Sequence, residues 1–210
     1  MFRRSMFATL MALCLVSAAV LAAACQPTMY SVPQPALTRA RHGVPAPSLP
    51  PSNYELATPG TIFVWSDLVT GERTEEVVGE MVGRLMQAQF GTRRSFAYVP
   101  NPWADNENTR EADVEPLYPL EVGKSITYFR QPPAGRTKDT VTVVRTETLD
   151  FPFGTVDTYV IETRSESVDG RWVGTATVWY APSLRWQVQW DISDTAGDHR
   201  QRKLIEMRQP

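Results

Sequence analysis

The sequence predicts a mainly β fold: a single curved antiparallel sheet, either a meander or a partly open barrel, with one short helix around residues 75–89 as an open alternative. The first observation behind this is the stretch 175–192, TATVWYAPSLRWQVQWDI, which carries three of the six tryptophans. In it Leu184, Trp186, Val188, Trp190 and Ile192 alternate with Arg185, Gln187, Gln189 and Asp191, the period of a strand with one buried and one wet face. The second is the turn Ala181-Pro182-Ser183, which joins this run to the alternating run before it and makes a hairpin. The third is that from Leu117 onward Thr, Val and aromatic runs recur between Pro/Gly turns, as in an antiparallel meander.

The elements follow in order. Gly60 opens a β-rich run at 61–65 that ends at Ser66-Asp67, and Thr70-Gly71 turns the chain. Val77, Val78, Met81, Val82, Leu85 and Met86 recur at helical spacing, yet Gly79 and Gly83 would each cost a helix interior about 1 kcal/mol. Two short strands turning near residues 79–83 fit the strand-like neighbours better. Residues 95–99 form a short strand, and 103–116 an acidic loop. In that loop Asp105, Glu107, Thr109 and Glu111 superficially match a calcium loop. Arg110 stands where such a loop needs glycine and Pro116 where it needs glutamate, so a solvated loop is the reading and no metal is expected. Strands follow at 125–130, 140–149, 155–163, 172–180 and 184–192, with a last one near 203–208. The turns Phe151-Pro152-Phe153-Gly154 and Asp169-Gly170 supply the hairpin backbone angles.

The start of the chain says where it goes. Arg3 and Arg4 precede an apolar stretch at 6–21 and Ala22-Ala23-Ala24, the three parts of a secretory signal over residues 1–24. Without those two arginines the chain has 23 acidic and 19 basic residues, a charge of −4, and no clustered basic surface that would suit nucleic acid. The junction LAAAC at 21–25 resembles the lipobox of bacterial lipoproteins, although Ala22 stands where leucine is commonest. The resemblance implies cleavage before Cys25 and acylation of its sulfur, with palmitate-type chains holding the protein to a membrane. Cysteine arithmetic agrees: Cys14 lies in the leader, and Cys25 would otherwise be a lone exposed thiol in an exported protein. Acyl chains at about 0.8 kcal/mol per buried CH2 make a stable anchor. Gln26, rather than aspartate, after the cysteine implies the outer membrane, facing the periplasm. From residue 25 to 58 the chain carries Pro27, Pro33, Pro35, Pro45, Pro47, Pro50 and Pro51, which reads as a semi-rigid tether before a β domain at 59–210.

The C-terminal part carries a second resemblance. Pro119-Leu120-Glu121-Val122-Gly123-Lys124, Pro152-Phe153-Gly154-Thr155 and Trp179-Tyr180-Ala181-Pro182 occur in an order similar to that in a group of uncharacterised bacterial exported proteins. The match runs from about Leu117 to Met207 and departs at Val156, where phenylalanine is more usual. It implies a curved antiparallel sheet and an envelope location, and no reaction.

Chemistry is hard to find. His199 sits on a loop between Asp198 and Arg200 with no nucleophile beside it, and there is no His/Cys cluster and no G-x-S-x-G. Glu75, Glu76 and Glu80 are the nearest approach to a carboxylate pair, and read as surface acids. The expectation is therefore a non-enzymatic envelope lipoprotein without cofactor, an interaction or structural domain whose partner is the membrane and another envelope protein. The alternative is a carrier of a lipid or other apolar ligand on a face made by Trp172, Trp179, Trp186, Val188 and Trp190. An enzyme acting on cell-wall sugar or peptide ranks last.

Overall fold

In a computed structural model, residues 43–210 are described apart from 47, 54, 56, 83–84, 91–92, 98–100 and 105–108. The signal segment 1–24, the Cys25 junction and the first part of the proline-rich segment lie outside the described residues. Turn chemistry and alternation together build one open antiparallel sheet. Its strands are β1 (Val44–Pro45), β2 (Ile62–Asp67), β3 (Arg73–Val82), β4 (Leu85–Phe90), β5 (Arg93–Ala97), β6 (Ser125–Arg130), β7 (Thr137–Phe151), β8 (Gly154–Ser167), β9 (Val173–Ala181), β10 (Trp186–Asp194) and β11 (His199–Arg208). The order is β1-β7-β8-β9-β10-β11-β2-β3-β4-β5, and β6 pairs with β7 beside β1. Residues 75–89, left between a helix and two strands, are strands β3 and β4.

The hairpins from β7 to β11 follow the turns read from the sequence. Gly154 and Gly170 have φ of 124° and 72°, the left-handed angles that favour glycine in such turns. What local sequence does not announce is the pairing of β11 with β2, which joins the last strand to the first long one and unites the two halves of the sheet.

The centre of the sheet is covered on both faces. Thr158, Tyr159, Val160 and Ile161 in β8 are all buried, as are Val178, Trp179, Tyr180 and Ala181 in β9. A strand can only do this when both faces carry a layer. One apolar cluster gathers Phe63, Trp65, Leu149, Val160, Trp179, Trp186, Trp190 and Leu204. The other gathers Tyr128, Val141, Tyr159, Ile161 and Tyr180 under Val114, Leu117 and Leu120. The last three come from α1 (Glu111–Val114), the 3-10 turn Glu115–Leu117 that follows it, and the segment beyond. The loop expected over 103–116 thus ends in a helical turn whose apolar residues seal the sheet.

The strict alternation expected for residues 184–192 also needs correction. The strand starts at Trp186, Arg185 is in the turn with φ 53°, and the register slips between Gln187 and Gln189. Gln189, expected in water, is 3% exposed. A bulge in a strand with covered faces turns one more residue inward than simple alternation allows.

Candidate functional site

The tryptophans expected to form an apolar face lie inside. Trp179, Trp186 and Val188 are buried and Trp190 is 9% exposed, while Trp172 is half-buried. Phe63 stacks on Trp186 with ring centroids 4.9 Å apart, and Trp103 meets Trp172 edge-on at 5.6 Å. Their indole N–H groups explain several carboxylates in the fold. Trp65 donates to Glu76 at 3.0 Å, Trp179 to Glu147 at 2.8 Å, and Trp172 to Asp194 at 3.1 Å. Such an acceptor offsets the cost of burying an indole N–H, although that of Trp186 has none among the described residues.

Glu76 and Glu147 are both buried but differ in charge balance. Burial pushes Glu76 up to about 7, against the indole hydrogen bond and the charge of Arg202. Burial also acts to raise Glu147, but hydrogen bonds from Trp179, Arg145 and the Gly43 amide outweigh it and hold the group below the usual carboxylate range. Sequence reading placed Glu76 among surface acids and left Glu147 unremarked. Period 2 sets Glu76 on the same side as Val78, and that is the signal that could have found it.

Charge is also buried where β6 ends and β7 begins. Arg130 and Asp139 form an ion pair, Asn101 donates to Asp139 at 2.8 Å and to the Tyr128 hydroxyl at 2.7 Å, and Arg130 reaches the Trp103 carbonyl at 2.7 Å. This network fastens residues 101–103 to the sheet, because a buried pair is tolerable only when its remaining donors and acceptors are met.

Against the expectation of a spacer reaching Thr58, the chain from Gly43 is bound to the sheet. The Gly43 amide donates to Glu147 at 3.1 Å, and β1 pairs with β7. The Tyr159 hydroxyl donates to the Pro50 carbonyl at 2.7 Å, and Ser52 pairs with Leu120. The Tyr180 hydroxyl donates to the Glu55 carbonyl at 2.9 Å, Glu55 meets Arg185 at 2.9 Å, and Ala57 enters the core. Proline forbids a central strand but not a strap whose carbonyls accept from side chains. Burial pushes the Tyr180 phenol up to about 12 and raises Tyr159 as well.

One face of the sheet carries aligned polar rows. Cross-strand partners share a face, and the register from β6 to β11 aligns Ser125, Thr142, Glu162, Thr177, Asp191 and Gln201 in one row. It aligns Thr127, Thr140, Arg164, Thr175, Ser193 and His199 in the next. Gln201 is buried, and the rest are half-buried or exposed. Between the rows lies a depression of about 360 Å3 lined by Thr140, Thr142, Val144, Glu162, Arg164, Thr175 and Thr177, among others. His199, read as a loop residue, begins β11 within 3.4 Å of Asp191. Hydroxyls that both donate and accept, flanked by one carboxylate and one guanidinium, can hold a polar partner without any covalent step.

No protein-family model matches the chain, and no curated protein is similar to it at a significant level. Among solved structures, the chain is similar to that of the hypothetical lipoprotein YmcC from Escherichia coli, at 12% identity and a TM-score of 0.44 over 73% of this chain and 86% of that one. It is also similar to a "putative lipoprotein" from Parabacteroides distasonis, at 14% identity and a TM-score of 0.39 over 76% of this chain and all of that one. A third, a "putative exported protein with YmcC-like fold" from Bacteroides fragilis, shares 11% identity with a TM-score of 0.39 over 75% of this chain and all of that one.

Proposed function

We propose that the chain is an exported lipoprotein, anchored through acylated Cys25, whose β domain works by non-covalent contact with another envelope component rather than by catalysis. The anchor rests on the leader and the LAAAC junction. The observation that carries the contact reading is the two-row polar face, six strands wide, in which every aligned residue but Gln201 is half-buried or exposed. An outer-membrane address facing the periplasm follows from Gln26 in the same way as the anchor follows from Cys25.

The carrier reading would give Trp172, Trp179, Trp186, Val188 and Trp190 to an apolar ligand. These side chains now pack on protein atoms, so a ligand would have to displace part of the core. No specific observation favours that reading over docking by the polar face.

The anchor is tested by Cys25→Ser. The substituted protein should leave the membrane fraction, and intact mass of the native protein should show a mature chain beginning at residue 25 with added acyl mass. Retention of the variant with membranes after a salt wash would overturn the reading.

A further inference from the structure

We propose that the strap formed by residues 43–57 is an exchangeable arm: the same segment of a second copy can take its place on the sheet, producing a strap-exchanged dimer. The strap is held by separate, directional contacts, which run to the sheet, to the turn between β9 and β10 and to the segment before β6. Tyr159 and Tyr180 donate to the Pro50 and Glu55 carbonyls, Ser52 exchanges two backbone hydrogen bonds with Leu120 at 3.2 and 2.7 Å, and Glu55 pairs with Arg185. None depends on strap and sheet belonging to one chain. An arm from a neighbour would make the same set, so the closed and exchanged forms differ mainly in the connection between arm and sheet.

That connection is short. Between Ala57 and β2 the chain folds back over four residues, Thr58-Pro59-Gly60-Thr61, with Thr61 N–H on the Thr58 carbonyl at 3.1 Å and Gly60 N–H on the Val78 carbonyl at 2.8 Å. Gly60 has φ 88°, and a side chain there would come within 3.2 Å of Pro210. A tight, constrained hinge is the kind that exchange relieves, because the extended connection has no turn to close. The outer end of the arm is also cheap to lift: β1 has two residues, both exposed, and Val44 is 73% exposed. The occupant is a second copy because its arm carries, at the right spacing, the side chains the sheet already receives: Glu55 for Arg185 and Ala57 for the core.

The test uses the full chain with Cys14→Ser and Cys25→Ser, so that only introduced thiols react. One variant carries Glu55→Cys and another Arg185→Cys, at positions 59% and 54% exposed, where substitution spares the core. A chain with both substitutions, treated at high dilution with a short bis-maleimide, should cross-link within itself. The two single variants should be mixed at high concentration, held, diluted and then treated. They should yield covalent heterodimer at least tenfold above a sample mixed only after dilution. Deleting Pro59, which shortens the hinge, should raise the dimer fraction further in light scattering. If the double variant closes on itself but the concentrated mixture gives no more heterodimer than the diluted control, arm exchange is wrong. If the double variant does not close, the Glu55–Arg185 contact is absent and the proposal falls with it.

Discussion

Glu76 in β3 and Glu147 in β7 are alike in setting and behave oppositely. Each is a strand carboxylate, almost wholly buried, that accepts from a buried indole. Glu76 has the Trp65 indole as its hydrogen-bond donor, with the charge of Arg202 nearby, and its proton is held up to about 7. Glu147 has the Trp179 indole, the Arg145 guanidinium at 2.6 Å and the Gly43 amide, and it stays ionised. Burial opposes charge at both sites; Glu76 lies the deeper of the two and has fewer donors, and both differences favour its proton. The comparison also explains why the strap matters to the core. One of the donors that keep Glu147 charged comes from the strap itself, so a surface segment stabilises a buried anion.

The sharpest way to break the contrast is Glu147→Ala. It removes the acceptor for at least three donors at once and leaves the Trp179 indole without its partner inside the core. Loss of one partner of a buried charged network costs about 3–5 kcal/mol. Urea denaturation at pH 7 should show that loss, and a change below about 1 kcal/mol would mean that the hub is not a hub. Glu147→Gln should recover part of it, since the amide oxygen still accepts from Trp179.

Glu76 gives the next largest effect, through pH. Its folded pKa lies above the unfolded carboxylate value of 4.5, so the folded state binds the proton more tightly. The stabilisation from that proton is fully present below about pH 4.5 and is lost as pH rises through about 7. A shift of this size corresponds to roughly 3 kcal/mol at most. Glu76→Gln keeps the shape and an acceptor for Trp65 but cannot ionise. Unfolding free energies between pH 5 and 8 should therefore fall for the native protein and stay flatter for the variant, which becomes the more stable of the two at pH 8. Parallel profiles would show that Glu76 is not the group responsible.

How much of this was legible beforehand follows from the range of the forces involved. Hairpins from β7 to β11 could be read because a turn such as Asp169-Gly170 acts over two residues and alternation over nine. The inward packing of Trp186 and Ile192 was legible for the same reason. The pairing of β11 with β2 was not, since its partners are more than a hundred residues apart and neither carries a mark of the other. The strap was hidden by its prolines, which argue against strands but say nothing about carbonyls accepting from tyrosines across the fold. Of the buried carboxylates, Glu76 was marked only by the side it shares with Val78, and Glu147 was hidden until its indole partner was known. The polar face was half legible: its threonines are visible in the sequence, but their alignment across six strands depends on register.

The smallest effect lies where strap and sheet meet. Tyr159→Phe and Tyr180→Phe each remove one hydrogen bond to a strap carbonyl and leave the ring in the second cluster. Each should cost about 1 kcal/mol. Their combined effect should appear mainly as faster amide exchange at Ser52 and Leu120, with little change at Val160 or Val178 in the centre of the sheet. Because the Gly43 amide also feeds Glu147, loosening the strap should raise that carboxylate's pKa toward the value of its counterpart, and carboxylate NMR titration would read the shift directly. A Glu147 titration unmoved in the double variant would mean that the strap does not help to hold its charge, and that strap and core are energetically separate.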